Sequence, residues 1–84
     1  MRLKYYTDPE HGWIAVKRSV LEQFGLTNVI TRYSYQHGQT VYLEEDCDAF
    51  ALANVLKNKG ITVEYIMISS KHRSPIRNYQ PYSA

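Results

Sequence analysis

Tyr33-Ser34-Tyr35-Gln36-His37-Gly38-Gln39-Thr40-Val41-Tyr42-Leu43 runs into the acidic step Glu44-Glu45-Asp46 and then into an apolar segment that closes at Gly60. Strand-forming residues lie on both sides of His37-Gly38, where Gly accepts a positive φ, so the stretch predicts a tight β-hairpin. A two-residue loop at that point sets Tyr35 opposite Thr40, Ser34 opposite Val41 and Tyr33 opposite Tyr42. Paired residues share a face. The ribbon then has an aliphatic face (Ile30, Ser34, Val41, Leu43) and a tyrosine face (Tyr33, Tyr35, Tyr42, with Thr40). Only one of these can meet the main core.

Beyond Asp46 the pattern becomes helical. Ala49, Leu52, Ala53 and Leu56 recur on one face, with Phe50 and Val55 at its borders. Asp46 is the expected N-cap, with Glu44, Glu45 and Asp48 near the positive end of the helix dipole. Lys57, Lys59 and Gly60 close the segment. Residues 61–68 alternate as a strand with apolar side chains in both sets, which predicts an interior position in the sheet.

The N-terminal part completes the order. Residues 2–7 read as a short strand, Asp8-Pro9 starts a turn that ends at His11-Gly12, and Trp13-Ile14-Ala15-Val16 reads as its hairpin partner. Ser19 and Glu22 have the spacing of a capping box for a two-turn helix, and Gly25 with Leu26 supplies its stop. The order is ββαββαβ. This predicts an α+β single domain: an about five-stranded, largely antiparallel sheet with two helices on one face. Residues 1–70 form that domain, and residues 71–84 are an extended basic tail.

Composition narrows the function classes. The chain has 84 residues, a net charge of +2, 44% hydrophobic and 21% charged residues, which is ordinary for a globular domain near the small end of the size range. The charge is too small to imply nucleic acid by itself. Its distribution is uneven, because Lys71, Arg73 and Arg77 lie in a tail without acids. One cysteine excludes an intrachain disulfide and fits the cytosol, and no apolar run is long enough to span a bilayer.

No motif specifies a reaction. Cys47 opens a helix, but the surrounding Glu44, Glu45, Asp46 and Asp48 oppose thiolate formation. The same acids lack the spacing of a calcium loop. Asp8, Glu10 and His11 read as a turn before they read as an acid–base cluster. The expectation is therefore a binding protein with no catalytic residues, metal or cofactor. Eight of the eleven aromatic residues are Tyr, a residue suited to half-buried faces and interfaces. The candidate binding residues are Tyr33, Tyr35, Tyr42 and Arg32 of the ribbon, His11 of the first loop, and Lys71, Arg73, Arg77 and Tyr79 of the tail. Such a surface suits a protein partner. The alternative is a small nucleic-acid binder whose rings stack on bases while the tail meets phosphates.

The blocks Lys4-Tyr5-Tyr6-Thr7-Asp8-Pro9 with His11-Gly12-Trp13, Tyr33-Ser34-Tyr35-Gln36, Val41-Tyr42-Leu43-Glu44-Glu45-Asp46-Cys47-Asp48 and Arg73-Ser74-Pro75-Ile76-Arg77 with Tyr79 resemble a family of small accessory proteins of bacteriophages and other mobile elements. That resemblance implies a host-cytosol setting and non-catalytic binding of a host protein or protein–nucleic acid complex. Inhibition of host defence, in the manner of anti-CRISPR proteins, is the outcome it implies.

Overall fold

Each helix ends where the sequence places its glycine. The first, α1 (Arg18–Gln23), closes with Leu26 N–H donating to the Leu21 carbonyl at 2.8 Å and Gly25 N–H to Glu22 at 3.1 Å. The second, α2 (Asp48–Asn58), repeats the pattern with Ile61 N–H to Leu56 at 2.9 Å and Gly60 N–H to Lys57 at 3.0 Å. Both are paired-bond C-caps that satisfy the carbonyls a helix end leaves open. The computed structural model describes all 84 residues, Met1–Ala84.

The fold is α+β, with six strands rather than five: β1 (Arg2–Thr7), β2 (Gly12–Lys17), β3 (Tyr35–His37), β4 (Thr40–Glu44), β5 (Glu64–Ser69) and β6 (Gln80–Pro81). Their spatial order is β5-β1-β2-β4-β3-β6, parallel only between β5 and β1. No helix is long and apolar enough to cross a membrane.

The faces follow from register. Ile14 lies opposite Leu43 and Val16 opposite Val41, while Tyr5 lies opposite Ile14. These residues, with Leu3, form the sheet's share of a core completed by Leu21, Leu26, Ile30, Ala49, Leu52 and Leu56. Both helices therefore cover one face. The other face carries Tyr6, Trp13, Ala15, Tyr35 and Tyr42.

Several expectations are corrected. The hairpin turn is Gly38-Gln39, not His37-Gly38, and pairs Tyr35 with Tyr42 and Gln36 with Val41. Gly38 has φ 59° and no non-glycine residue has a positive φ, so glycine occupies the first turn position, as a type II′ turn requires. Opposing residues are displaced by two positions, which leaves Tyr35, Val41, Tyr42 and Leu43 on their expected faces. The first arm is also much shorter, because residues 27–34 form turns and Tyr33 lies outside the sheet. Ser19 caps nothing: Arg18 is already helical, its N–H is taken by the Gln39 carbonyl, and Lys17 occupies the N-cap position without a side-chain bond. Asp46 is not the α2 N-cap either, since the helix begins at Asp48 after Cys47. Finally, β5 is an outer strand rather than an interior one, exposed along its whole length.

Nor is residues 71–84 an extended tail. Pro75–Asn78 form a short 3-10 turn that buries Ile76, and the Ser74 hydroxyl accepts from Ile76 N–H at its start. The strand β6 then pairs with β3, and Tyr82 enters the main core with its hydroxyl on the Thr27 carbonyl at 2.5 Å. The segment crosses the tyrosine face and turns the sheet edge.

Candidate functional site

Two buried aspartates hold the segments that border the tyrosine face. Asp48, the first residue of α2, is 2% exposed. Its carboxylate accepts the Thr31 N–H at 3.1 Å, the Thr31 hydroxyl at 2.8 Å and the Ser34 hydroxyl at 2.5 Å. The Ser34 oxygen in turn accepts Glu44 N–H at 3.0 Å, and the Thr31 hydroxyl oxygen accepts Tyr33 N–H at 3.3 Å. The loop carrying Tyr33 is thus fixed by a buried polar network with no unsatisfied side-chain atom.

Asp8 works the same way on the opposite side. Its Oδ1 accepts the N–H groups of Glu10 at 3.0 Å and His11 at 2.9 Å, which closes the β1–β2 loop. Its Oδ2 accepts Ser74 N–H at 3.0 Å and Arg77 Nε at 2.8 Å, with Arg77 Nη2 on Oδ1 at 2.9 Å. This bidentate, charge-assisted pair, together with the backbone donors, holds the Asp8 carboxyl well below the usual carboxylate range. Arg77 also reaches Glu10 at 3.3 Å and lies 5.8 Å from the Trp13 ring centroid. The pKa of the Arg77 guanidinium is raised, chiefly by its bond to Asp8.

Gly12 explains a neighbouring close approach. A Cβ there would lie 2.5 Å from Glu45 Oε2 and 2.8 Å from the Tyr5 ring, because the Tyr5 hydroxyl donates to Glu45 directly across it. That hydrogen bond, more than burial, pushes the Tyr5 pKa up to about 12.

Between these two anchored segments lies an open cleft of about 390 Å³, lined by His11, Trp13, Tyr33, Tyr35, Glu44, Asp46, Arg73 and Arg77. Trp13 is its floor, 2% exposed and edge-to-face with Tyr35 at 6.4 Å. Tyr33 stands at the rim with 74% of its surface exposed. Arg73 is exposed and makes no ion pair. Burial raises the Glu44 pKa, with the neighbouring Asp46 and Glu45 charges adding to the effect.

The sequence candidates therefore separate into three groups. His11, Tyr33, Tyr35, Arg73 and Arg77 meet at this cleft. Tyr42 and Tyr79 do not; they belong to an aromatic stack in which Tyr79 lies over His37 at 4.4 Å and against Tyr42 at 5.3 Å, with Tyr6 beyond at 5.9 Å from Tyr42. Burial raises the Tyr42 pKa. Arg32 and Lys71 are exposed and lie outside the cleft. Sequence reasoning passed over Trp13, Glu44 and Asp46. Trp13 was findable, since its strand parity places it on the same face as Tyr42.

The cleft presents aromatic rings together with side chains of both charge signs. Asp8 is committed to Arg77, so its carboxylate is not free to accept a proton from a substrate. Cys47 is exposed with its pKa raised, first by the adjacent Asp48 charge. No group of three or more His, Cys, Asp or Glu side chains is disposed to hold a metal ion. No protein-family model, no curated protein and no solved structure matches the chain.

Proposed function

We propose that this protein acts without catalysis, as a binding module that captures a host protein, or a protein within a protein–nucleic acid complex, at the Trp13–Tyr33 cleft. The observation that carries the reading is Tyr33: a large aromatic side chain held out in solvent by a rigid, internally bonded loop beside an aromatic-floored cleft. A residue so placed adds nothing to the core. It has the size, polar tip and low side-chain entropy of an interface anchor. Arg73, His11 and Asp46, which also line the cleft, offer polar partners around it. In the phage or mobile-element setting that the sequence resemblance implies, the action is inhibition of host defence from within the host cytosol.

Direct nucleic-acid binding is less well supported by this geometry. Tyr42 and Tyr79 are packed against each other, and Glu44 and Asp46 line the cleft where phosphates would have to lie. The test is capture from nuclease-treated host extract by the wild-type chain and by Tyr33→Ala. Wild type retains a protein and Tyr33→Ala loses it, while both unfold at the same temperature. Capture that vanishes on nuclease treatment, or that Tyr33→Ala leaves untouched, contradicts the proposal.

A further inference from the structure

The outer strand β5 is unlike anything the cleft uses. It is paired on one side only, in unbroken register from Arg2 opposite Glu64 to Thr7 opposite Ser69. Glu64 N–H donates to the Met1 carbonyl and Ser70 N–H to the Thr7 carbonyl, both at 2.8 Å. Backbone groups alternate sides along a parallel ladder. The even-numbered residues therefore face β1, and the N–H and C=O groups of Tyr65, Met67 and Ser69 point outward without a strand to receive them.

Side chains do nothing to protect this edge. Outer strands are ordinarily blunted by proline, a bulge, an inward charge or a covering segment. From Tyr65 to Ser69 there is none of these. Instead Tyr65, Ile66, Met67 and Ile68 are 39%, 38%, 59% and 37% exposed, two on each face. The other edge of the sheet is the reverse case: β6 has two residues, one of them Pro81.

We propose that β5 pairs with β5 of a second copy of this chain, antiparallel about a two-fold axis normal to the sheet, to make one continuous sheet across a homodimer. Pairing of β5 with β6 of another copy would build an open head-to-tail chain. The short proline-bearing β6 offers too little ladder for that. In-register parallel pairing would set the two Glu64 carboxylates side by side, whereas antiparallel pairing sends them to opposite ends.

Parity fixes the register further. A two-fold normal to the sheet keeps each face on its own side, so the centre falls on a residue, Ile66 or Met67. Centring on Ile66 would put Glu64 against Ile68 of the partner subunit and strip water from a carboxylate that its only ion-pair partner, Arg2, meets in the open. Centring on Met67 avoids this. Met67 then faces the partner subunit's Met67 as a hydrogen-bonded pair, Ile66 faces Ile68 of the partner subunit, and Glu64 faces the partner subunit's Ser70.

Sedimentation velocity on the full chain tests the pairing. Wild type sediments at twice the single-chain mass, and Met67→Lys, whose side chain is already largely in solvent, weakens self-association by about tenfold or more. Phe50→Lys, which removes an exposed apolar residue on α2 away from the edge, leaves it unchanged. A second experiment covers misfolding of the lysine variant. In a Cys47→Ser background, Met67→Cys cross-links to itself on mild oxidation, since a hydrogen-bonded pair sets Cα atoms about 5.5 Å apart. Tyr65→Cys does not. A monomer at all concentrations overturns the proposal, including one that takes up a foreign strand instead. So does a dimer that survives Met67→Lys, or cross-linking through Tyr65→Cys as efficient as through Met67→Cys.

Discussion

At the scale of single residues, the two aspartates do more than any hydrophobic side chain to decide the shape of the surface. Asp48 is a buried carboxyl group surrounded by donors, and removing it would leave the Thr31 amide and the buried Ser34 hydroxyl without their acceptor. Asp48→Ala is therefore expected to cost roughly 2–4 kcal/mol in chemical denaturation, and Asp48→Asn less, because an amide oxygen still accepts. Equal losses for the two variants would mean that the network contributes little. Asp8 makes a pH prediction. Its carboxyl is depressed in the folded state, so the unfolded chain binds the proton more tightly, and the stabilisation is present above about pH 4 and lost as pH falls below it. The melting-temperature gap between wild type and Asp8→Asn should hold from neutrality to about pH 5 and narrow only in stronger acid. A gap that stays constant to low pH would show that Asp8 acts through its neutral hydrogen bonds alone. Beyond the Asp8 turn itself, the long-range roles of the two aspartates cannot be read in sequence. Asp48 looks like one more acid at a helix start, and the partners of Asp8, Ser74 and Arg77, lie more than sixty positions away.

Elements were legible where a local rule sufficed. The two glycine-terminated helices, the Asp8 turn and the first hairpin follow from short-range chemistry, and α2 buries the Ala49, Leu52, Leu56 stripe that its spacing marks. The central hairpin is more instructive. Its turn is displaced by one residue, yet Val41 and Leu43 point inward and Tyr35 and Tyr42 outward, because a displacement of two opposing positions preserves the period of two. Two elements misled for the same physical reason. The strand β5 is apolar on both sides, which composition alone equates with burial, and β3 is short because residues 31–34 turn back on themselves, with Ser34 N–H on the Thr31 carbonyl and Thr31 N–H held by Asp48. Side-chain chemistry reports how much a segment can bury, not whether a neighbour from elsewhere in the chain arrives to bury it.

For the whole molecule, the organising fact is that the sheet has two unequal cores. Helices seal the aliphatic face, and the C-terminal segment covers part of the tyrosine face with Ile76 and Tyr79, latched by Asp8–Arg77. Half of the candidate site was thus visible in the sequence as a tyrosine face and a basic tail. What sequence could not supply was their mutual contact, which turns an apparent aromatic platform into a small core beside a cleft. Trp13 is the only tryptophan and has the Arg77 guanidinium 5.8 Å from its ring centroid, so its environment reports on whether the C-terminal segment is docked. The most direct measurement is acrylamide quenching of Trp13 fluorescence in the wild-type chain and in Ile76→Asp, which disrupts the covering turn while leaving Tyr82 in the main core. The account predicts a quench-protected, blue-shifted Trp13 in wild type and a quenched, red-shifted one in the variant, with far-ultraviolet circular dichroism unchanged. Identical quenching in the two proteins would contradict it, because the segment would then not be what closes the face.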